Sequence, residues 1–149
     1  MKLCLVCSSG GHFLQLHSLK EMWQGYERVW VTFPGKDTEY YLAHEKKYYA
    51  YYPTNRSIWN LVKNIVLAVR TLKIEKPDII LSTGAGVAVP FIYAGKLLGI
   101  KTIYIESLTR VNSLSLTGRL IYPVVNDLLV QWPELAAKYK KAHFAGQVI

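Results

Sequence analysis

Cys7-Ser8-Ser9-Gly10-Gly11-His12 decides how the rest of the chain is read. An apolar run, Leu3 to Val6, leads into it, and Leu14, Leu16, Leu19, Met22 and Trp23 follow in a helix-like pattern. Strand, glycine turn, helix is the layout of a nucleotide or phosphate site. Adjacent glycines let the backbone turn sharply and leave no side chain between the amides and a ligand. The helix that follows offers unpaired N–H groups and the positive end of its dipole, both favourable to an anion. Histidine is the side chain best suited to exchange a proton near neutral pH, which makes His12 the first candidate. The spacing is neither that of a dinucleotide fingerprint nor that of a P-loop, so the motif alone names no ligand.

Outward from this loop the chain alternates. Residues 2–7 read as a strand buried on both faces, and 13–24 as a helix ended by Gly25. Residues 28–33 give a second strand, Pro34 to Asp37 a turn in which Asp37 caps a short helix over 38–45, and 47–52 a third strand. Ser57 is placed to cap the longest helix, over 58–75. Its stripe of Ile58, Leu61, Val62, Ile65, Val69 and Leu72 predicts the core-facing side, with Asn60, Lys63, Asn64 and Thr71 opposite. Leu67 and Ile74 fall within that polar arc. They are incidental surface residues unless Trp59 is exposed too, in which case lipid or a partner is the reading.

Next come a buried strand at 79–81, a second glycine loop Ser82-Thr83-Gly84-Ala85-Gly86, and a helix over 87–98 closed by Gly99. A strand at 102–105 ends in Glu106-Ser107. A helix over 113–122, a strand at 127–131, a short helical stretch from Trp132 and a last short strand at 144–146 complete the chain. This alternation predicts an α/β fold, a mainly parallel sheet with helices on both faces and right-handed crossovers. Ligands in such folds bind beyond the carboxyl ends of the strands. His12, Gly84, Gly86 and Glu106 all fall at that end.

The 149 residues suit one domain, 1–149, and with 51% hydrophobic residues a disordered chain is excluded. Lys and Arg outnumber Asp and Glu by 18 to 10, a net charge of +8 that points to an anionic partner. No nucleic-acid-binding motif accompanies the charge, so nucleic acid is not the expected partner. Eleven tyrosines and four tryptophans supply amphipathic surface. No run reaches the roughly 18 apolar residues of a membrane span. The apolar start is shorter than the about 7–15 residues of a secretory signal, so the default location is cytoplasmic. Cys4 and Cys7 form a C-x-x-C, but within a strand pattern that points them to opposite faces, as buried thiols.

Four ordered stretches carry a resemblance that covers nearly the whole chain. They are Ser8-Ser9-Gly10-Gly11-His12, Lys76-Pro77-Asp78-Ile79-Ile80-Leu81-Ser82-Thr83-Gly84-Ala85, Tyr104-Ile105-Glu106-Ser107 and Val130-Gln131-Trp132-Pro133-Glu134-Leu135. The chain resembles bacterial polysaccharide-biosynthesis subunits related to the membrane-recruiting subunit of the eukaryotic two-subunit N-acetylglucosaminyltransferase of dolichol-linked oligosaccharide assembly. More distantly it is similar to the N-terminal half of the peptidoglycan transferase that adds N-acetylglucosamine to a lipid-linked sugar. The resemblance implies a single Rossmann-like domain, the acceptor-side N-terminal half of a GT-B glycosyltransferase. Its expected partners are a donor-binding C-terminal-half chain, a polyprenyl-diphosphate-linked saccharide and the cytoplasmic face of the membrane, where it is peripheral. The expected setting is capsule or exopolysaccharide synthesis. Phe144 to Ile149 resembles the segment where a fused transferase crosses into its second domain. A non-catalytic membrane scaffold for a self-sufficient transferase is the alternative.

Transfer from a UDP-sugar requires a base for the acceptor hydroxyl. The resemblance gives that role to His12, which otherwise shapes the loop. Glu106 either meets a sugar hydroxyl or orients His12, or else pairs with Arg110. Ser8, Ser9, Gly10 and Gly11 are expected to hold the acceptor's diphosphate. Thr83, Gly84, Ala85 and Gly86 do likewise or serve helix–sheet packing, and Ser107, Arg110 and Asn112 are further phosphate candidates. No Asp-x-Asp occurs, so no metal and no cofactor beyond the UDP-sugar substrate are expected. Lys46, Lys47, Tyr48, Tyr49, Tyr51 and Tyr52 mix cations with aromatics, as a membrane-facing patch or as a protected edge strand.

Overall fold

Leu3 to Cys7 contains no polar residue, and it becomes an inner strand of the sheet. A computed structural model describes residues 1–148. In chain order its elements are β1 (Lys2–Cys7), α1 (Gly11–His17), α2 (Lys20–Trp23), β2 (Glu27–Thr32), α3 (Lys36–Tyr41), β3 (Lys47–Tyr49) and α4 (Ile58–Glu75). They continue as β4 (Ile79–Gly84), α5 (Ala88–Leu97), β5 (Lys101–Ile105), α6 (Leu116–Ile121), β6 (Asp127–Val130), α7 (Pro133–Lys138) and β7 (Ala142–Phe144). The seven strands form one sheet in the order β3-β2-β1-β4-β5-β6-β7, and every pairing is parallel. This is the doubly wound, Rossmann-like arrangement expected from the alternation.

Each face of the sheet buries its own cluster. Leu5, Cys7, Phe13, Leu16, Trp23 and Trp30 pack on the side of α1 and α2. Cys4, Val6, Ala68, Leu72, Ile80 and Phe91 pack on the side of α4 and α5. The two cysteines therefore sit on opposite faces, free and fully buried, and burial pushes the Cys4 thiol up to about 12. Burial that keeps a thiol protonated disfavours thiolate chemistry at both positions.

Several expectations change. The helix expected over 13–24 is two helices, because Trp23 Nε1 takes the Leu16 carbonyl at 2.9 Å and Ser18 Oγ takes that of Gln15 at 2.7 Å. The third strand stops at Tyr49 rather than residue 52: Asn64 bonds both the N–H and the carbonyl of Tyr51 at 2.9 Å and pulls the chain off the sheet. Asp37 does not cap α3, whose N-cap is Gly35. α6 begins after Ser115, whose Oγ accepts from the Gly118 amide, and not at Ser113. The last strand is Ala142–Phe144.

The largest correction concerns α4. Its buried residues are Asn64, Ala68, Thr71, Leu72 and Glu75, so much of the polar arc faces the sheet. Of the stripe expected to face the core, Ile58, Leu61, Val62 and Ile65 are exposed, Ile58 at 79%, while Leu72 is buried and Val69 packs against the core; Trp59 beside it is 77% exposed. Specific polar pairing overrides the periodicity. Glu75 receives hydrogen bonds from Lys2 Nζ (2.8 Å) and Tyr48 Oη (2.6 Å) and pairs with Lys46 Nζ (2.7 Å). These bonds also divide the Lys46–Tyr52 stretch. Lys46 and Tyr48 are tied to Glu75 and Lys47 to the Leu42 carbonyl, while Tyr51 and Tyr52 are exposed at the other end.

Candidate functional site

The strand order reverses between β1 and β4, and a crevice opens at such a point beyond the carboxyl ends. The loop after β1 and the end of β4 are stitched together there. Ser8 N–H donates to the Gly84 carbonyl at 2.8 Å. Thr83 Oγ1 donates to the His12 carbonyl at 2.6 Å, and His12 Nδ1 meets the Thr83 carbonyl at 2.8 Å. A carbonyl only accepts, so in the neutral ring Nδ1 carries the hydrogen and Nε2 keeps its lone pair. His12 is half-buried and lines two neighbouring cavities. One, of about 430 Å³, is bounded by Gly11, Leu14, Gln15, Ser107 and Leu108. The other, of about 240 Å³, is bounded by Ala85, Tyr104, Glu106, Ser107, Arg110 and Ser115.

The two glycine loops differ. No atom lies within 4 Å of where a Cβ would stand at Gly10 or Gly11. At Gly84 a Cβ would lie 3.1 Å from both His12 Nδ1 and Tyr104 Oη, and at Gly86 2.8 Å from Thr54 Oγ1. The first loop is open; the second is crowded by the side chains of His12, Tyr104 and Thr54. Not every amide of the first loop is available. Ser8's is bonded to Gly84, and Gly10's donates to Asp37 Oδ2 at 2.7 Å. The amides of Gly11 and His12 open α1 and have no acceptor within it. Ser8 and Ser9 are half-buried and line neither cavity.

Glu106 is fully buried. Its Oε2 accepts from the amide and hydroxyl of Ser115, both at 2.9 Å, and its Oε1 from the Ser107 amide at 3.0 Å. The carboxylate thus anchors the start of α6 to the end of β5. A Cβ at Gly118 would collide with its Oε2. His12 is oriented by Thr83 and not by Glu106. Arg110, exposed and in no ion pair among the described residues, borders the smaller cavity. Asn112 lies outside both cavities, and its carbonyl accepts from Lys138 Nζ at 2.7 Å. Burial, with the Glu106 charge second, raises the Tyr104 phenol well above its ordinary value, so it faces the cavity neutral.

Sequence reading passed over four residues here. Asp37 looked like a helix cap. Gln15 and Gln131 each send Nε2 to the Glu106 carbonyl, at 3.1 and 3.3 Å. Trp132 Nε1 holds the Leu108 carbonyl at 2.7 Å and fixes the loop after β5. Only the quoted Gln131-Trp132-Pro133 stretch carried a signal. Among the described residues no three His, Cys, Asp or Glu side chains cluster as metal ligands, and no helix is long and apolar enough to cross a membrane.

Comparison with known proteins gives the same fold. MurG of Acinetobacter baumannii superposes with a TM-score of 0.78 at 18% identity, covering 100% of this chain and 46% of that one. UDP-N-acetylglucosamine 2-epimerase of Rickettsia bellii gives 0.75 at 13%, covering 99% and 45%. At these identities the likeness concerns the fold alone. In sequence, UDP-N-acetylglucosamine transferase subunit alg14 of Schizosaccharomyces pombe is 50% identical over 78 residues, 48% of this chain and 37% of that protein. The subunit of that name from Debaryomyces hansenii is 39% identical over 101 residues, 62% and 44%. The human one is 38% identical over 80 residues, 50% and 37%. The matched regions span less than half the length of these relatives. The family described as oligosaccharide biosynthesis protein Alg14 like matches over residues 40–148, and the chain belongs to it.

Proposed function

We propose that this chain is the acceptor-binding subunit of a two-chain GT-B glycosyltransferase. A partner chain binds a UDP-sugar, and this chain presents a polyprenyl-diphosphate-linked saccharide at the cytoplasmic membrane face. The observation that carries the reading is the His12 imidazole, held by the Thr83 carbonyl at 2.8 Å with its other nitrogen left as acceptor, at the crevice between β1 and β4. Nε2 takes the proton of the acceptor hydroxyl as the bond to the sugar's anomeric carbon forms and UDP leaves. The Gly11 and His12 amides, Ser107 and Arg110 hold the acceptor's diphosphate. Thr83 and Gly84 position the imidazole, and Glu106 positions the loop that carries Ser107. The donor diphosphate meets the partner's own helix N-terminus, and no metal or cofactor takes part.

The relatives' names make UDP-N-acetylglucosamine the first donor to try. Both chains together with that donor and a polyprenyl-diphosphate-linked saccharide yield product, and neither alone does. Equal turnover by the partner with and without this chain overturns the proposal. The setting in capsule or exopolysaccharide synthesis rests on the sequence resemblance, the relatives named above being eukaryotic. A deletion strain that keeps its surface polysaccharide rules that setting out.

The exposed apolar side of α4 favours a second reading, a non-catalytic scaffold that recruits a self-sufficient transferase to the membrane. A water-soluble acceptor analogue separates the two. The scaffold becomes dispensable there, whereas the acceptor half stays required.

A further inference from the structure

Tyr104 is 1% exposed, and it borders the cavity of about 240 Å³ beside His12. A buried phenol O–H ordinarily has a close hydrogen-bond partner, because an unpaired one has lost its water for nothing. Among the described residues the partner of Tyr104 Oη is Ser115 Oγ, at 3.5 Å. That lies beyond the about 2.5–3.0 Å of an O–H···O bond. Ser115 Oγ is engaged elsewhere as well. It donates to Glu106 Oε2 at 2.9 Å and accepts from the Gly118 amide at 3.0 Å. Burial keeps the phenol protonated. Tyr104 is therefore a hydrogen-bond donor without a close acceptor, in the wall of a cavity.

The rest of the cavity says what kind of oxygen suits it. The Glu106 carboxylate stands in the same wall and is fully buried, whereas the Arg110 guanidinium is exposed. An anionic group is drawn to Arg110 and repelled from the Glu106 side. Beside Tyr104 the wall continues with the neutral hydroxyl residues Ser115 and Thr117. Neutral hydroxyls and one buried carboxylate match an uncharged, oxygen-rich group better than a phosphate. The volume falls below the about 300–1,000 Å³ of drug-sized ligand pockets and suits a single sugar ring.

We propose that Tyr104 is a specificity-determining residue of the acceptor site, its hydroxyl donating a hydrogen bond to an oxygen of the sugar ring that the diphosphate carries. The inference rests on the acceptor-side reading. It adds the group that tells a sugar-bearing diphosphate from a bare one.

Calorimetric titration of the full chain tests it with four compounds. Three are farnesyl diphosphates carrying glucose, galactose or N-acetylglucosamine, and the fourth is farnesyl methyl diphosphate, which matches their charge. The tightest of the sugar-linked three binds the wild type at least about tenfold better than the methyl compound. Tyr104→Phe removes one oxygen and keeps the ring, so the melting temperature is unchanged. It weakens that sugar-linked compound about threefold to tenfold, the range of one neutral hydrogen bond, and leaves the methyl compound unchanged. An equal fall for both compounds overturns the proposal, since the hydroxyl then serves the diphosphate or the His12 loop. So does an undiminished preference in Tyr104→Phe, or a wild type that prefers none of the three sugars. Binding of the methyl compound in that last case leaves the acceptor-side reading standing and refutes only the role of Tyr104. Failure of all four compounds to bind refutes both.

Discussion

His12 joins two loops far apart in sequence: Nδ1 is held by the Thr83 carbonyl at 2.8 Å, and the proposed function gives Nε2 the role of base. Asparagine at this position reproduces the inner hydrogen bond and lacks the outer nitrogen. His12→Asn is therefore expected to keep the wild-type melting temperature and to lower transfer by the assembled pair about 10²–10⁴-fold, the ordinary contribution of a general base. Wild-type turnover in a folded His12→Asn chain reduces His12 to a loop-shaping residue. Gly84 belongs to the same construction. Its φ of +110° is one that side-chain-bearing residues rarely adopt, and a Cβ would press on His12 Nδ1 and Tyr104 Oη, both at 3.1 Å. Gly84→Ala is expected to cost about 1–3 kcal/mol in urea denaturation, from strain at a disfavoured φ. It also displaces the imidazole, so turnover falls more than the stability loss explains.

Among the elements, α4 is the one whose sequence misleads. Apolar periodicity was legible and correctly gave a helix ending at Glu75, capped by Ser57. Which side faced the sheet was not legible, because Asn64 and Glu75 have partners at distant positions: the Tyr51 backbone, Lys2, Lys46 and Tyr48. A polar residue looks solvent-facing until its partner is known. The site followed the same rule. His12 and the glycine loops announced themselves by local pattern, whereas Asp37 and Gln15 act through bonds to residues 27 and 91 positions away.

Glu75 also sets a pH dependence. Burial alone raises a carboxyl, but hydrogen bonds from Lys2, Lys46 and Tyr48 overcome it and hold Glu75 down to about 2, below its ordinary 4.5. A depressed carboxylate contributes fully above its unfolded value, and that contribution disappears as pH falls from 4.5 towards about 2. Denaturation midpoints should decline over that window. In Glu75→Gln the decline should shrink by on the order of 3 kcal/mol, with lower stability at neutral pH because two lysines lose their counter-charge. An acid limb unchanged in the variant places the transition in other carboxylates. The hydrogen bond to Glu75 raises the Lys2 pKa, so this stabilisation is full below the ordinary lysine value and lost as pH rises through the raised one.

For the molecule as a whole, the doubly wound topology separates two surfaces. α4 follows β3, so its first turn, with Ile58 and Trp59, starts at the same end of the sheet as the crevice. The outer side of α4 faces away from the sheet on one flank, while the loops carrying Gly11 and Ser107 lie at the strand ends. In the proposed assembly a bilayer meets the outer side of α4 and a donor-side chain meets the loops at the strand ends. Trp23 and Trp30 are buried and Trp132 is half-buried, which leaves Trp59 as the fluorophore in water. Vesicles of phosphatidylcholine with phosphatidylglycerol should shift its emission to the blue, and adding the donor-side chain should leave that shift in place. Salt should reverse it in part, since attraction between exposed cations and anionic lipid is screened beyond about 8–10 Å at ordinary ionic strength. The apolar side of α4 keeps part of the signal. Trp59→Tyr should remove the shift while sedimentation with vesicles continues at a reduced level. Loss of vesicle binding on addition of the partner would mean that the second chain, and not lipid, covers α4.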